Sequence, residues 1–218
     1  KNIFLACDVS SQKEMLDLLE LIHEDISGIK IGLQYITERS PEEIRELSKF
    51  KKPIFYDGKF FDIKNTLVES IRSLKSLNVD YATVHLLNGL DALKIANKAA
   101  QKINLNLLGV SILTSFSNED LKNLGFNNNV DDQVKRLVRI AMDAGLYGVI
   151  CSPLEVKMIK KIAPKLKCFT PGIRMGNTKD DQKRTMNANE AIKEGSDCLI
   201  IGRPITKGNP KENIKNIL

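Results

Sequence analysis

A short segment near residue 60 alternates carboxylates with an ammonium group. Asp57 and Lys59 are separated by one residue, and Asp62 follows three positions later. Side chains of a strand alternate between its two faces, so Asp57 and Lys59 are predicted to point the same way. Lys30 lies in another apolar run and can reach them if the two strands are neighbours, about 4.8 Å apart. Such an array predicts either electrostatic catalysis or a structural network of ion pairs, because buried charges must be paired.

Two loops carry the glycines and arginines that a phosphate site needs. They are Pro171-Gly172-Ile173-Arg174 and Gly202-Arg203-Pro204-Ile205. Glycine lets the backbone approach an anion closely, and arginine can bind one through two hydrogen bonds. The polar segment 175–184 is predicted to be a mobile lid, with Gly176 as a hinge and Gln182 touching a bound phosphate. An ordinary surface loop would be equally polar, so that alternative stays open.

Eight apolar runs must position these groups. The runs cover residues 3–9, 29–33, 53–57, 80–86, 105–113, 147–151, 166–170 and 197–201. Apolar residues dominate each run instead of alternating with polar ones, which is typical of strands buried on both faces. Between the runs, apolar residues recur at helical spacing, as at Met15, Leu18, Leu19 and Ile22, and at Val134, Leu137, Val138 and Ala141. Strands that alternate with helices predict a parallel sheet covered by helices.

The pattern predicts an α/β fold, a (β/α)8 TIM barrel that forms a single domain over residues 1–218. Eight strand–helix units fit a chain of 218 residues, which lies near the short end of the range for that fold. An open doubly wound sheet is the alternative, but it would usually carry a GxGxxG turn after the first strand, where this chain has Asp8-Val9-Ser10-Ser11. In a barrel the active site forms at the carboxyl ends of the strands. Polar residues of the predicted strands or of the turns that follow them are Asp8, Lys30, Asp57, His85, Thr114, Ser115, Arg174 and Arg203.

The composition disfavours several classes of protein. Hydrophobic residues make up 42% and charged residues 28%, as in a globular and not a disordered chain. No apolar stretch reaches about 18 residues, so no membrane span is expected. Four separated cysteines and two histidines predict buried, reduced thiols in a cytoplasmic protein and no zinc site. The net charge of +6 suits an anionic small molecule better than nucleic acid, because aromatic residues are only 6% and no nucleic-acid-binding motif occurs.

Together these motifs resemble the orotidine 5′-phosphate decarboxylase family. The resemblance covers nearly the whole chain, and DxKxxDIxxT combined with the two glycine–arginine loops is highly specific. Besides those loops, the segments that carry it are Ala6-Cys7-Asp8-Val9, Ile29-Lys30-Ile31-Gly32, Asp57-Gly58-Lys59-Phe60-Phe61-Asp62-Ile63 with Asn65-Thr66, Val84-His85, Leu113-Thr114-Ser115, Cys151-Ser152-Pro153 and Asp180-Asp181-Gln182-Lys183-Arg184. Two positions depart from the family pattern: Gly58 replaces a larger aliphatic residue, and Lys64 replaces a frequent proline.

The resemblance implies a homodimeric enzyme that converts orotidine 5′-phosphate to UMP and CO2 in pyrimidine biosynthesis, with neither metal nor cofactor. Lys30, Asp57 and Lys59 would form a charged network in each site. The partner subunit's Asp62 would complete it, and the partner subunit's Thr66 would contribute to substrate binding. The implied substrate contacts are Asp8 and Lys30 to the ribose hydroxyls, Thr114 and Ser115 near the pyrimidine, and Arg174, Gln182, Gly202 and Arg203 to the phosphate.

The chemistry of that reaction agrees with the array. Loss of CO2 from C6 leaves negative charge on a carbon that no carbonyl is placed to delocalise, so catalysis must be electrostatic. Lys59 would stabilise that charge and protonate C6, and Asp57 would oppose the substrate carboxylate. Three alternatives remain open: a Mg²⁺-dependent sugar-phosphate lyase of the same superfamily, which Lys30 disfavours by repelling a cation, a nucleotide-binding barrel without turnover, and a nucleic-acid-binding protein.

Overall fold

Eight parallel strands close into a barrel. The computed structural model describes residues 2–174 and 184–217. Each strand pairs with the next one in sequence, and the eighth pairs with the first. The strands are β1 (Ile3–Ala6), β2 (Gly28–Ile31), β3 (Ile54–Phe60), β4 (Tyr81–His85), β5 (Asn106–Val110), β6 (Gly148–Ile150), β7 (Lys167–Thr170) and β8 (Cys198–Ile201). Each overlaps one of the predicted apolar runs, and the predicted (β/α)8 fold is confirmed.

Helices connect the strands and cover the barrel. They are α1 (Gln12–Ile22), α2 (Leu33–Glu38), α3 (Pro41–Glu46), α4 (Lys64–Ser73), α5 (Leu90–Gln101), α6 (Asn118–Asn123), α7 (Val130–Asp143), α8 (Val156–Ile162), α9 (Ala188–Lys193), α10 (Arg203–Thr206) and α11 (Pro210–Ile217). The residues at helical spacing in α1 and α7 face the core, and of those named only Leu18 is not fully buried. Within residues 2–174 and 184–217, no helix combines the length and the apolar character needed to cross a membrane.

Serine caps define where two of these helices begin. The Ser11 hydroxyl accepts a hydrogen bond from the Glu14 amide at the start of α1. At the start of α3, Ser40 and Glu43 form a capping box, in which each side chain accepts the other residue's amide. Both caps satisfy amides that have no partner inside their helix, so the sequence sets these boundaries locally.

Three strands end three residues away from the predicted bound. β1 ends at Ala6 and β5 at Val110, so residues 7–9 and 111–113 belong to loops at the barrel rim. β3 continues beyond residue 57 to Phe60, because Phe60 still pairs with Val84 of β4. Asp57 and Lys59 therefore lie inside a strand and not beyond its end. The pairing is irregular there, since four steps from Tyr56 to Phe60 match only two steps along β4.

Aromatic side chains fill the interior of the barrel at its amino-terminal end. The rings of Phe4, Phe55, Tyr81 and Phe169 lie with centroids 5.5 to 6.4 Å apart, mostly edge to face. On β1, the small Ala6 of the same inner cluster lies two positions beyond Phe4 and lines the cavity described below. This change from large to small side chains leaves space at the carboxyl ends. All four cysteines are buried and free, as predicted.

Candidate active site

Three charged side chains from β2 and β3 converge at the carboxyl ends of the strands. The Lys59 Nζ lies 2.9 Å and the Lys30 Nζ 3.5 Å from the same oxygen of Asp57, Oδ2. Asp8, in the loop after β1, adds a second carboxylate 3.8 Å from the Lys30 Nζ. Gly32 makes room for this contact, because a Cβ there would lie only 2.9 Å from the Asp8 carboxylate. The order of charges across the group is carboxylate, ammonium, carboxylate, ammonium.

Asp57 is the most enclosed carboxylate of this group. Its side chain is 12% exposed, against 59% for Asp8. Burial is the largest influence on the Asp57 pKa and raises it, but the charges of Lys30 and Lys59 and hydrogen bonds from Lys59 and Thr83 together hold the pKa below its ordinary value. The Thr83 hydroxyl donates to Asp57 Oδ1 at 2.9 Å. Asp57 therefore stays ionised at neutral pH although it is nearly out of contact with water.

Lys59 occupies an unusual backbone position. Its φ of +48° lies in the left-handed region, which residues other than glycine rarely adopt. This residue falls within the irregular pairing of β3 with β4, and its amide donates to the Thr83 hydroxyl at 2.8 Å. The neighbouring Gly58 lets the rings of Tyr56 and Phe60 stack, since a Cβ on Gly58 would lie 2.8 Å from the Tyr56 ring. The departure of Gly58 from the family pattern thus has a local structural reason.

A cavity of about 270 Å³ opens beside the charged group. The residues that line it include all four charged side chains of this group: Asp8, Lys30, Asp57 and Lys59. Most of the other lining residues come from the ends of β5 to β8 or the loops after them: Val110, Ile112, Leu113, Thr114, Ile150, Cys151, Pro171, Gly172, Arg174, Ile200, Gly202, Arg203 and Thr206. The cavity thus combines apolar walls with a few charged groups, which is typical of a small-molecule site.

Both predicted phosphate loops reach this cavity. Gly172 and Arg174 follow β7, and Gly202 and Arg203 follow β8. The Arg174 side chain is largely buried, and its Nη1 donates to the Ile173 carbonyl at 2.9 Å. Gln182 and most of the predicted lid, residues 175–183, lie outside the described residues.

Three of the other predicted site residues, Asp62, Thr66 and Ser115, lie apart from the cavity. Asp62 and Thr66 are exposed on the segment between β3 and the first turn of α4. Within the described parts of the chain, no ion pair joins Asp62 to Lys59, and the Asp62 carboxylate accepts the Ile63 amide at 2.7 Å. Thr114 lines the cavity, whereas Ser115 is exposed and does not. One chain alone therefore supplies three of the four charges that the family resemblance implies.

His85 is half-buried and close enough to the charged group for Lys59 to influence it. Burial, and then the charge of Lys59, lower the pKa of its imidazole. Its Nδ1 accepts the Leu87 amide at 3.3 Å, and its ring lies against Phe61 with centroids 5.6 Å apart. The hydrogen bond satisfies one of the two ring nitrogens of this histidine.

Sequence reasoning missed Thr83 and a buried ion pair between Glu155 and Arg184. Arg184 also donates to the Leu113 carbonyl at 3.0 Å, which ties the chain after residue 183 to the loop after β5. The pKa of Glu155 is raised mainly by burial, although Arg184 lowers it. The spacing of Ser152 and Glu155 is a capping-box signal that could have drawn attention to this glutamate. No comparable signal links Glu155 to an arginine so far along the chain.

Among residues 2–174 and 184–217, no group of three or more His, Cys, Asp or Glu side chains is arranged to hold a metal ion. The lining of the cavity includes as many lysines as carboxylates, and the loops after β7 and β8 add arginines. The donor set therefore suits an anionic ligand better than a divalent cation.

Comparison with known proteins gives full-length matches. The sequence model described as "Orotidine 5'-phosphate decarboxylase / HUMPS family" matches residues 1–217. The chain is 38% identical to an orotidine 5'-phosphate decarboxylase of Wolbachia pipientis subsp. Culex pipiens, over 99% of this chain and 96% of that protein. It is 37% identical to an enzyme of the same name from Legionella pneumophila (strain Corby), over 100% and 97%. A crystal structure of orotidine 5'-phosphate decarboxylase from Lactobacillus acidophilus superposes with a TM-score of 0.86 at 29% identity, over 100% of this chain and 97% of that one.

Proposed function

The chain belongs to the orotidine 5'-phosphate decarboxylase / HUMPS family, and we propose that it converts orotidine 5′-phosphate to UMP and CO2 by electrostatic catalysis, with neither metal nor cofactor. The reaction is that of pyrimidine biosynthesis, and the relatives named above carry the decarboxylase name. The observation that carries the proposal is an ionised, buried Asp57 between two ammonium groups at the edge of a cavity.

Lys59 is the proposed proton donor. When CO2 leaves C6, negative charge develops on that carbon, and a fixed ammonium group stabilises it without moving. The Lys59 side chain is 32% exposed and lines the cavity, so its Nζ can face a bound substrate. The same ammonium can then transfer its proton to C6, which completes the replacement of CO2 by hydrogen.

Asp57 and Lys30 set the electrostatics around that proton donor. A substrate carboxylate beside Asp57 would meet a second negative charge in a site with little water, and the repulsion is relieved when CO2 departs. Lys30, whose side chain is 9% exposed, helps to keep Asp57 ionised. Lys30 and Asp8 are also the proposed ligands of the ribose hydroxyls.

The loops after β7 and β8 at this cavity are the proposed phosphate site. Arg174, Gly202 and Arg203 line it together, and two arginines with adjacent glycines suit a phosphate dianion. Thr114 is close enough to the cavity to meet the pyrimidine. Gln182 remains a proposed ligand of the phosphate, and Ser115 remains a proposed neighbour of the pyrimidine.

A homodimer would account for the two implied residues that lie outside the cavity. Asp62 and Thr66 are solvent-exposed in the single chain, and the apolar side chains next to Asp62 are exposed as well, at 63% for Phe61 and 74% for Ile63. Large exposed apolar side chains are commonly covered by a partner. In the proposed dimer, the partner subunit's Asp62 would complete the array around Lys59.

The proposed location of the enzyme is the cytoplasm. Buried, reduced cysteines suit an enzyme of that compartment.

One variant tests the proposed role of Lys59. The change Lys59→Ala removes the proton donor but leaves the arginines and glycines of the phosphate loops. We expect the spectrophotometric assay with orotidine 5′-phosphate to fall to background, while UMP still binds in a calorimetric titration. Turnover close to that of the unmodified protein would refute the assignment.

A further inference from the structure

One buried hydroxyl connects the Asp57 carboxylate with the backbone of Lys59. The Thr83 Oγ1 accepts the backbone amide of Lys59 at 2.8 Å and donates its own proton to Asp57 Oδ1 at 2.9 Å. A threonine hydroxyl has one proton to donate and lone pairs to accept with, so a single group serves both contacts. The direction of both hydrogen bonds is fixed, because the amide can only donate and an ionised carboxylate can only accept.

The irregular pairing of β3 with β4 makes this hydroxyl necessary. In a regular parallel pair, a β3 amide in this position would donate to a backbone carbonyl of β4. Tyr56 pairs with Ala82 and Phe60 with Val84, so Thr83 is the β4 residue opposite the displaced stretch that contains Lys59. Its side chain takes the place of the missing carbonyl. The hydrogen bond also holds Lys59 at its positive φ.

Neither water nor a rotamer change can readily substitute for this contact. Thr83 has no exposed surface, so no bulk water reaches its hydroxyl. A β-branched side chain in a strand has restricted χ1, which keeps the oxygen directed between its two partners. Loss of the hydroxyl would leave a buried carboxylate oxygen with one donor fewer and the Lys59 amide without this acceptor.

We propose that Thr83 is a positioning residue, which fixes the Asp57 carboxylate and the Lys59 backbone relative to each other. With Oδ1 held by Thr83, Oδ2 is directed at the two ammonium groups, 2.9 Å from Lys59 and 3.5 Å from Lys30. Electrostatic stabilisation depends on charges that are already in place, so displacement of Lys59 by about 1 Å is costly to the rate. This inference rests on the proposed decarboxylation, in which Lys59 and Asp57 act on the substrate.

The test compares Thr83→Val with Thr83→Ser. Valine keeps the branched shape without the hydroxyl, and serine keeps the hydroxyl without the methyl group. We expect valine to lower kcat about 10- to 100-fold, the range for loss of one hydrogen bond to a charged group. Because the phosphate loops are untouched, KM and the Kd for UMP should change less than about 3-fold. Serine should restore most of kcat.

Thr170→Val is the matched control. Thr170 is also fully buried, and its hydroxyl lies 2.6 Å from the Ser196 Oγ, but it does not line the cavity. We expect a loss of stability in this control with little change in kcat. Titration with UMP counts the folded sites of each variant, and kcat is expressed per binding site, so partial unfolding does not imitate the effect. If valine at position 83 does not fold, Thr83→Ala replaces it in the comparison with serine.

The outcomes separate this inference from the proposed function. If the unmodified protein does not convert orotidine 5′-phosphate, or Lys59→Ala converts it normally, the proposed function fails. If the unmodified protein is active and Lys59→Ala is inactive, but Thr83→Val keeps its kcat, the proposed positioning role of Thr83 is wrong. It is equally wrong if serine is as impaired as valine, or if Thr170→Val loses as much activity.

Discussion

The change Asp57→Asn tests whether the buried charges depend on one another. Asp57 Oδ2 lies 2.9 Å from the Lys59 Nζ and 3.5 Å from the Lys30 Nζ. At an effective dielectric constant of about 20, unit charges at these distances attract by roughly 6 and 5 kcal/mol. The cost of burying the carboxylate offsets much of this attraction, and removal of one partner of a buried pair typically destabilises by about 3–5 kcal/mol. Since Lys59 is partly exposed, we expect the low end, about 3 kcal/mol.

The pH dependence of this loss has a definite sign. The pKa of Asp57 is lower in the folded protein than in the unfolded chain. Its contribution to stability is therefore fully present above the unfolded value of about 4, and it is lost as the pH falls through the folded value. The difference in stability between the unmodified protein and Asp57→Asn should be constant from about pH 5 to 8. It should shrink below about pH 4.

Urea unfolding followed by circular dichroism measures the effect, since the chain has no tryptophan to report by fluorescence. With an m-value of about 2–3 kcal/mol/M, a loss of 3 kcal/mol lowers the midpoint by about 1–1.5 M. Asp8→Asn is the matched control, because the Asp8 carboxylate also faces Lys30 but is 59% exposed, so its removal should cost less than about 1 kcal/mol. If Asp57→Asn is no less stable than Asp8→Asn, the charges around Asp57 are not mutually dependent as argued.

Three further predictions concern the dimer, the metal and Gly58. If the partner subunit's Asp62 completes each site, mixing inactive Lys59→Ala with inactive Asp62→Ala should restore part of the activity, and no recovery despite proven subunit exchange would count against shared sites. Activity should survive EDTA, whereas a loss that Mg²⁺ reverses would favour the sugar-phosphate lyase alternative. Gly58→Val should separate the stacked rings of Tyr56 and Phe60, because a Cβ there meets the Tyr56 ring at 2.8 Å; we expect a melting temperature several degrees lower, and an unchanged one would contradict this packing argument.

The strands and helices could be predicted from the sequence because the pattern of apolar residues that indicates each of them is local. Strands buried on both faces produce continuous apolar runs, and helices that pack on one side produce the 3.6-residue spacing of α1 and α7. The predicted ends of the strands are less accurate, since pairing with a neighbouring strand decides where a strand ends. β3 illustrates this, because its partner Val84 keeps Phe60 in the sheet beyond the predicted end.

The grouping of Asp57 with Lys59 was predicted through an argument that the structure modifies. Strict alternation along a regular strand would place both side chains on one face. They do meet, but in a strand whose register shifts and whose Lys59 has a positive φ. A lysine in the left-handed region has no sequence signature, and only the adjacent Gly58 hints at irregular backbone. Thr83 was missed for a related reason, since a single threonine in the apolar run 80–86 resembles an ordinary strand residue.

The distribution of charge over the cavity links binding to chemistry in the proposed reaction. Arg174 and Arg203, the proposed phosphate ligands, line the same cavity as two ammonium groups that are paired with the carboxylates of Asp8 and Asp57. In the proposed binding mode, attraction for the anionic substrate is therefore concentrated at its phosphate and not at the reacting carbon. Binding energy from the phosphate can hold the substrate carboxylate near Asp57, where by itself it would be repelled. This separation predicts that orotidine without its phosphate should lose kcat as well as affinity, because the arginines could no longer offset that repulsion.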